Sequence, residues 1–244
     1  MPKYEVHIYG ISRSGIHAIC NWVMENCNIT NLFRKCPQSE IEEKRLSAND
    51  SICFTSENKD LSKTEFVEST DRKYLFNILV IRDPFNHFAS VIKSNRYIMP
   101  KTKKMRNLDI YKRANEYAET KSHPIIDLLK IWTDYANEAD GNTNYIQNKI
   151  VISYNDWFLN ESYRKKISQR LHANSFNKGM NFVSVCGGGS SFDGKKYNGK
   201  GSEMDVLNRW KHYQNEEWFV ELFNDEIVDL SERIFNFNPI GKQE

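Results

Sequence analysis

The chain has 244 residues, 39% of them apolar and 27% charged, a composition that gives a globular protein with length for one α/β domain and a cleft. Thirty-four Lys and Arg against 32 Asp and Glu leave a formal charge of +2, so no strong overall field points to nucleic acid or a membrane surface. An anion site in such a chain has to be a local concentration of donors.

Tyr4–Tyr9 (YEVHIY) is rich in β-formers and runs straight into Gly10, while Ile16, Ile19, Trp22 and Val23 recur at helical spacing from Gly15 onward. The chain therefore opens strand–loop–helix. Residues 37–72 are polar, with one strand expected at Ser51–Thr55. Tyr74–Ile81 (YLFNILVI) is a nearly continuous apolar run, as in a central parallel strand covered on both faces. Arg82 ends it, and Asp83-Pro84 supplies an N-cap and a proline for the first turn of a helix to about Ser94, with Phe85, Phe88, Ala89 and Ile92 facing inward.

The charged stretch 97–121 reads as an inserted loop and solvated helix, basic at Lys101–Lys104 and Arg106. Pro124–Asn137 has an amphipathic helical pattern, Lys149–Tyr154 (KIVISY) a strand pattern, and 158–172 a helical one. A loop rich in Gly, Ser and Lys spans Gly187–Gly201, and helices are expected over Met204–Tyr213 and Glu217–Phe235. Alternating strands and helices predict one three-layer α/β/α domain over residues 1–244, with a central, mainly parallel sheet.

No apolar run approaches the roughly 20 residues of a membrane helix, and strand residues begin at Tyr4, so a cytoplasmic protein without a leader is expected. The five cysteines (Cys20, Cys27, Cys36, Cys53, Cys186) are odd in number and lack C-x-x-C spacing, which predicts reduced thiols and no metal site.

Two places carry chemistry. Gly10 and Gly15 stand five apart between strand and helix, the glycine spacing of a phosphate loop, where backbone N–H groups at a helix N-terminus converge on one anion. Arg13 adds a fixed cation to that loop, and Ser12 and Ser14 add hydroxyls. Gly15 is followed by Ile16 and His17 where a nucleoside triphosphatase would have Lys-Ser/Thr, so the magnesium ligand is missing. The second place is the end of the buried strand, where open α/β sheets bind their ligands: Arg82 presents a cation there, with Ser90 two turns into the next helix. The plainer reading of Arg82 is a strand-end arginine paired with a neighbouring carboxylate.

Together these sites resemble the sulfotransferase family. Ser12-Arg13-Ser14-Gly15-Ile16-His17 stands where that family has its Pro-Lys-Ser-Gly-Thr-Thr loop for the 5′-phosphosulfate. Arg82-Asp83-Pro84 with Ser90 eight residues after the arginine matches its 3′-phosphate motif, and Tyr154-Asn155-Asp156 resembles its Tyr-Glu-Asp element. The resemblance implies a donor, 3′-phosphoadenosine 5′-phosphosulfate (PAPS; its product is PAP), held by the N–H groups of Ser14, Gly15, Ile16 and His17 and by Arg82 and Ser90. It implies no metal, and a glycan or small-molecule acceptor. The family closes its 3′-phosphate site with a late basic loop, a role that falls here on Ser190–Gly201 with Lys195, Lys196 and Lys200 as candidates.

The sequence departs from the family at three points. Arg13 replaces the loop lysine, and a planar fork cannot act as a point donor does. Ala18 takes the place of the aromatic that stacks on adenine, with Trp22 one turn later as a substitute. Thr55-Ser56-Glu57 replaces the Lys-Thr-His of many cytosolic members, which leaves Glu57 and His17 as alternative bases. In Asn208-Arg209-Trp210, beside His212-Tyr213, the residues either pack a tryptophan into the core or bring Arg209 to the donor phosphates. A P-loop kinase with a degenerate loop and a nucleotide-binding module without catalysis are the competing functional readings.

Overall fold

A computed structural model describes residues 3–34, 36, 40–47, 50–68, 71–94, 125–184 and 189–241. Five parallel strands, β1 (Tyr4–Gly10), β2 (Asn31–Arg34), β3 (Ile52–Glu57), β4 (Tyr74–Ile81) and β5 (Ile150–Ser153), stand in the order β2-β3-β1-β4-β5. Alternate residues of the central strands feed two cores. Val6, Ile8, Ile78 and Val80 face helices α1 (Ile16–Cys27), α5 (Tyr154–Leu159) and α6 (Glu161–Arg170), with Trp22, Trp157 and Ile167 packed on them. Tyr9, Leu79 and Ile81 face α3 (Pro84–Lys93), α4 (Ile125–Asp140), α7 (Glu217–Val220) and α8 (Asp225–Phe235), through Phe85, Phe88, Trp132 and Phe223. Burying each such side chain contributes about 1.5–3 kcal/mol. The result is the expected three-layer α/β/α architecture, and its sheet is wholly parallel.

The order places β1 between β3 and β4: the chain runs from β1 outward to β2, returns through β3, and then crosses β1 to β4 and β5 on the other side, so its connections diverge at β1 and open a crevice above its carboxyl end. The loop after β1 and the turn after β4 both empty into that crevice.

Several elements differ from their sequence patterns. The polar stretch after α1 contains the short edge strand β2 and a helix, α2 (Ile41–Ser47), neither announced by apolar periodicity. The helix expected over Met204–Tyr213 is reduced to a 3₁₀ turn at Arg209–His212. Val206 instead lies in irregular backbone, buries its side chain among the α1-side residues and gives its carbonyl to Arg82. The long C-terminal helix breaks at Asn224, whose side chain accepts from the Ile227 N–H and restarts the turn as α8. Cys20, Cys27, Cys36 and Cys53 are free thiols, with burial pushing that of Cys27 up to about 12. The insertion at 97–121, its basic stretch and Cys186 lie outside the described residues. Among the described residues no helix is long and apolar enough to cross a membrane.

Candidate functional site

The loop between β1 and α1 is held from beneath before any ligand arrives. Asn58, just past β3, donates its N–H to the Gly10 carbonyl (3.0 Å) and accepts from the Ser12 N–H (2.8 Å), and its amide reaches Ser12 Oγ (3.1 Å). His87 Nε2 donates to the Ser12 carbonyl (2.8 Å). His87 is fully buried, and burial holds its pKa down to about 3, so it is a neutral imidazole used as a bracket. The Ser14 N–H closes a turn onto Ile11 (2.9 Å), which removes it from the set of N–H groups expected to meet a phosphosulfate.

Gly15 is the N-cap of α1, at φ 90, and no side chain caps the helix. The orphan N–H groups of the first turn therefore open into the crevice. A Cβ on Gly15 would lie 2.2 Å from the Tyr154 ring, so only glycine lets the loop pass beneath that ring. Ser14 Oγ is buried without a hydrogen-bond partner among the described residues.

Arg82 follows β4 and is 2% exposed. Its Nη1 donates to Ser90 Oγ (3.2 Å) and to the Arg13 carbonyl (3.4 Å), its Nη2 donates to the Val206 carbonyl, and its guanidinium lies 5.1 Å from the centre of the Tyr154 ring. The neighbouring carboxylate does not pair with it. Asp83 caps α3 and is enclosed by amides, accepting from the Asn86 N–H (2.8 Å), the Asn86 side chain (3.1 Å) and Asn155 (2.9 Å). Asn86 in turn accepts from the Trp210 N–H (3.2 Å), which fixes the 3₁₀ turn carrying Arg209.

Arg209 reaches the same hydroxyl from the opposite side. Its Nη1 donates to Ser90 Oγ (3.1 Å) and its Nη2 to Ser190 Oγ (2.7 Å), with Asp193 at 3.5 Å. Burial, then the charge of Arg82, lowers its pKa to about 10, and burial lowers that of Arg82 as well. Among the described residues Asp193 is the carboxylate within 4.0 Å of this arginine pair. Two guanidinium groups thus share one serine, only Arg209 has a carboxylate within 4.0 Å among the described residues, and each leaves a buried Nε–H unpartnered. An excess of buried positive charge costs several kcal/mol unless an anion compensates it, so the arrangement fits a phosphate group.

A cleft of about 410 Å³ joins this pair to the loop and to the end of β3. At that far end Glu57 Oε1 lies 3.4 Å from His17 Nε2, and Glu57 Oε2 lies 3.5 Å from Ser12 Oγ. Ile16, His17 and Ala18 of α1 line the cleft together with Thr55, Glu57 and Arg34. The expected site residues Arg13, Gly15, Ile16, His17, Glu57 and Arg82 thus meet in one cavity, with Ser90 bonded behind Arg82. Arg13 sits at φ 72 and its Nη1 crosses to the Gly189 carbonyl (3.4 Å).

Other expected residues stand elsewhere. Trp22 is fully buried, donates its indole N–H to the Phe176 carbonyl (2.8 Å) and packs edge-on against Trp157, so it is a core residue and not a platform for a base. Phe182, 48% exposed, lines the same cleft as Ala18. Lys195, Lys196 and Lys200 are exposed and outside the cleft. The reason is the pairing of Ser190 with Gly194, which turns the loop so that Gly189, Ser190 and Ser191 line the cavity and the lysines face away. The cation that lines the cleft from this part of the chain is Arg209, which follows the loop. Tyr154, Asn58 and His87 complete the site, and only Tyr154 carried a sequence signal, in its Tyr-Asn-Asp setting.

Neither a scan of family models nor a search of curated protein sequences gives a match to this chain. Among solved structures the chain is similar to mouse sulfotransferase SULT7A1 complexed with PAP, with a TM-score of 0.52 and 11% identity over 95% of this chain and 84% of that one. The shared property is the fold.

Proposed function

We propose that the protein is a sulfotransferase that moves a sulfuryl group from PAPS to a hydroxyl or amine of a small molecule or glycan. One observation carries this reading: Arg82 and Arg209, both buried, converge on Ser90 at one end of a cleft whose other wall is an uncapped helix N-terminus. A donor with a 3′-phosphate and a 5′-phosphosulfate presents two anions to two such sites, whereas ADP or ATP lacks the 3′ group that would meet the arginine pair.

In this reading Arg82, Arg209 and Ser90 hold the 3′-phosphate, and the N–H groups of Gly15, Ile16 and His17 with Arg13 hold the phosphosulfate. Ser12 holds the loop in shape, since its N–H, hydroxyl and carbonyl are all engaged by Asn58 and His87. Glu57, with His17 against it, takes the proton of the attacking hydroxyl. The acceptor oxygen bonds to sulfur, the bond from sulfur to the phosphate oxygen breaks, and its electron pair leaves on PAP. Arg13 faces the charge that develops there, and loss of such a donor typically costs ~3–4 kcal/mol of transition-state stabilisation.

Calorimetry tests the donor directly: PAP is expected to bind at micromolar protein or below, and ADP at least ~100-fold more weakly for want of the arginine-bound phosphate. Binding of ADP with magnesium and no heat with PAP would falsify the proposal. The Arg13 contact to Gly189 favours a second reading, in which the arginine latches the loop of a nucleotide-binding module. PAP binding with no transfer of labelled sulfate from PAPS to any of a broad acceptor panel selects that reading.

A further inference from the structure

The carboxyl edge of the sheet presents its side chains in a fixed order. Arg34 ends β2, Glu57 ends β3, the phosphate loop follows β1, Arg82 follows β4 and Tyr154 follows β5. Adjacent strands stand about 4.8 Å apart. The donor contacts proposed above use the ends of β1 and β4, and Tyr154 after β5 packs on Arg82, which leaves the ends of β3 and β2 for the acceptor.

At that end Arg34 is the register partner of Thr55, and both line the cleft that holds Glu57 and His17. Among the described residues no carboxylate lies within 4.0 Å of Arg34, Glu57 included, although the arginine is one strand away from it. A cation in the acceptor path without a carboxylate against it has its charge available to a ligand, and its planar fork suits an oxyanion in two-point contact.

The geometry points to an anionic acceptor: a hydroxyl compound carrying a carboxylate, sulfate or phosphate on the order of 5–10 Å from the oxygen that is sulfated, one to two strand spacings. Arg34 holds the oxyanion while the hydroxyl meets Glu57. Arg34 touches neither the sulfur nor the transferred proton, so it determines specificity and is not a catalytic residue. This inference rests on the sulfotransferase reading and names the acceptor class for it.

The test uses matched probes, 4-hydroxyphenylacetate against 4-hydroxyphenylacetamide, and a methyl glucuronide against the corresponding methyl glucoside. Each is titrated into PAP-loaded protein by calorimetry, and each is assayed as an acceptor with PAPS. The charged member of at least one pair is expected to bind and react better by roughly five- to tenfold, the range between an exposed and a half-buried ion pair. Arg34→Gln should bring that ratio towards one, and Arg34→Glu should invert it. A sulfated or phosphorylated aryl alcohol run alongside distinguishes which oxyanion is preferred. Equal or absent binding of both members of both pairs, in protein that binds PAP, overturns the inference and leaves the donor reading intact. A ratio that Arg34→Gln does not change also overturns it. Protein that fails to bind PAP fails the sulfotransferase reading itself, and thermal melting of the variants shows whether they remain folded.

Discussion

At the β4 end of the cleft Arg82 is locked by the Arg13 and Val206 carbonyls, by Ser90 and by the Tyr154 ring, and Arg209 is fixed through Asn86, Ser90 and Ser190. At the β3 end Glu57 and His17 face each other at 3.4 Å with side chains 12% and 28% exposed, and Arg34 stands on an edge strand in contact with solvent. The first end is a pair of buried guanidinium groups held in place by the fold, the end proposed to take the 3′-phosphate. The second is the end of the cleft more open to solvent. Such a division suits an enzyme with one fixed donor and an acceptor that has to enter and leave.

The sharpest way to break that division is Arg82→Lys. Lysine keeps a charge but cannot serve Ser90, Arg13 and Val206 from one planar group, so PAP affinity should fall about 10²–10³-fold, roughly 3–4 kcal/mol. Calorimetry reads the loss and a thermal melt the accompanying destabilisation. A change under tenfold would mean that the socket is not the main anchor. Glu57→Gln addresses the other end: kcat should drop by about 10²-fold or more while PAP affinity stays within about threefold. If both fall together, the two ends are one coupled site. The same pair of measurements on His17→Gln assigns the proton acceptor between the two side chains.

Gly15→Ala tests the wall between the ends. The substitution meets the Tyr154 ring at 2.2 Å and a φ of 90, so it should cost ~2–3 kcal/mol in urea denaturation and weaken PAP binding as well. Gly141→Ala is the control, since φ there is 86 and nothing lies within 4 Å of the added carbon. It should cost only the conformational strain, ~1 kcal/mol.

The same division explains what the sequence made legible. Tyr74–Ile81 and Asp83-Pro84 announce a buried strand and a capped helix, so Arg82 and Ser90 are placed by chain geometry alone. The glycines at 10 and 15 and the apolar spacing of α1 do the same for the loop. Distant contacts are another matter. Trp22 follows helical spacing into the core because Trp157 and the Phe176 carbonyl, far along the chain, complete its pocket. Lys195, Lys196 and Lys200 sit in the expected loop, but its internal pairing at Ser190 and Gly194 turns them outward, and Arg209 is the later cation that lines the cleft. β2 and α2 carry no such signal, because edge elements bury too little to show a period.

His87 gives the smallest and most specific test of the rigid end. It donates to the Ser12 carbonyl as a neutral imidazole, and its pKa is held down to about 3, chiefly by burial and further by the Arg82 charge, with the Ser12 bond opposing both. In the unfolded chain the same group titrates near 6.5. Between those values the unfolded state takes up a proton that the native state refuses, so this residue makes stability fall as pH drops below about 6.5. At pH 5 the loss amounts to about 2 kcal/mol. His87→Gln keeps an N–H for the carbonyl and removes the titration. Its unfolding free energy in urea should therefore gain about 2 kcal/mol relative to the natural protein between pH 7.5 and pH 5. The ionisable groups common to both proteins cancel in that difference, so its slope reports on position 87 alone. A flat difference would mean that the imidazole is solvated or charged in the native protein, and the loop above it would then lack this buried bracket.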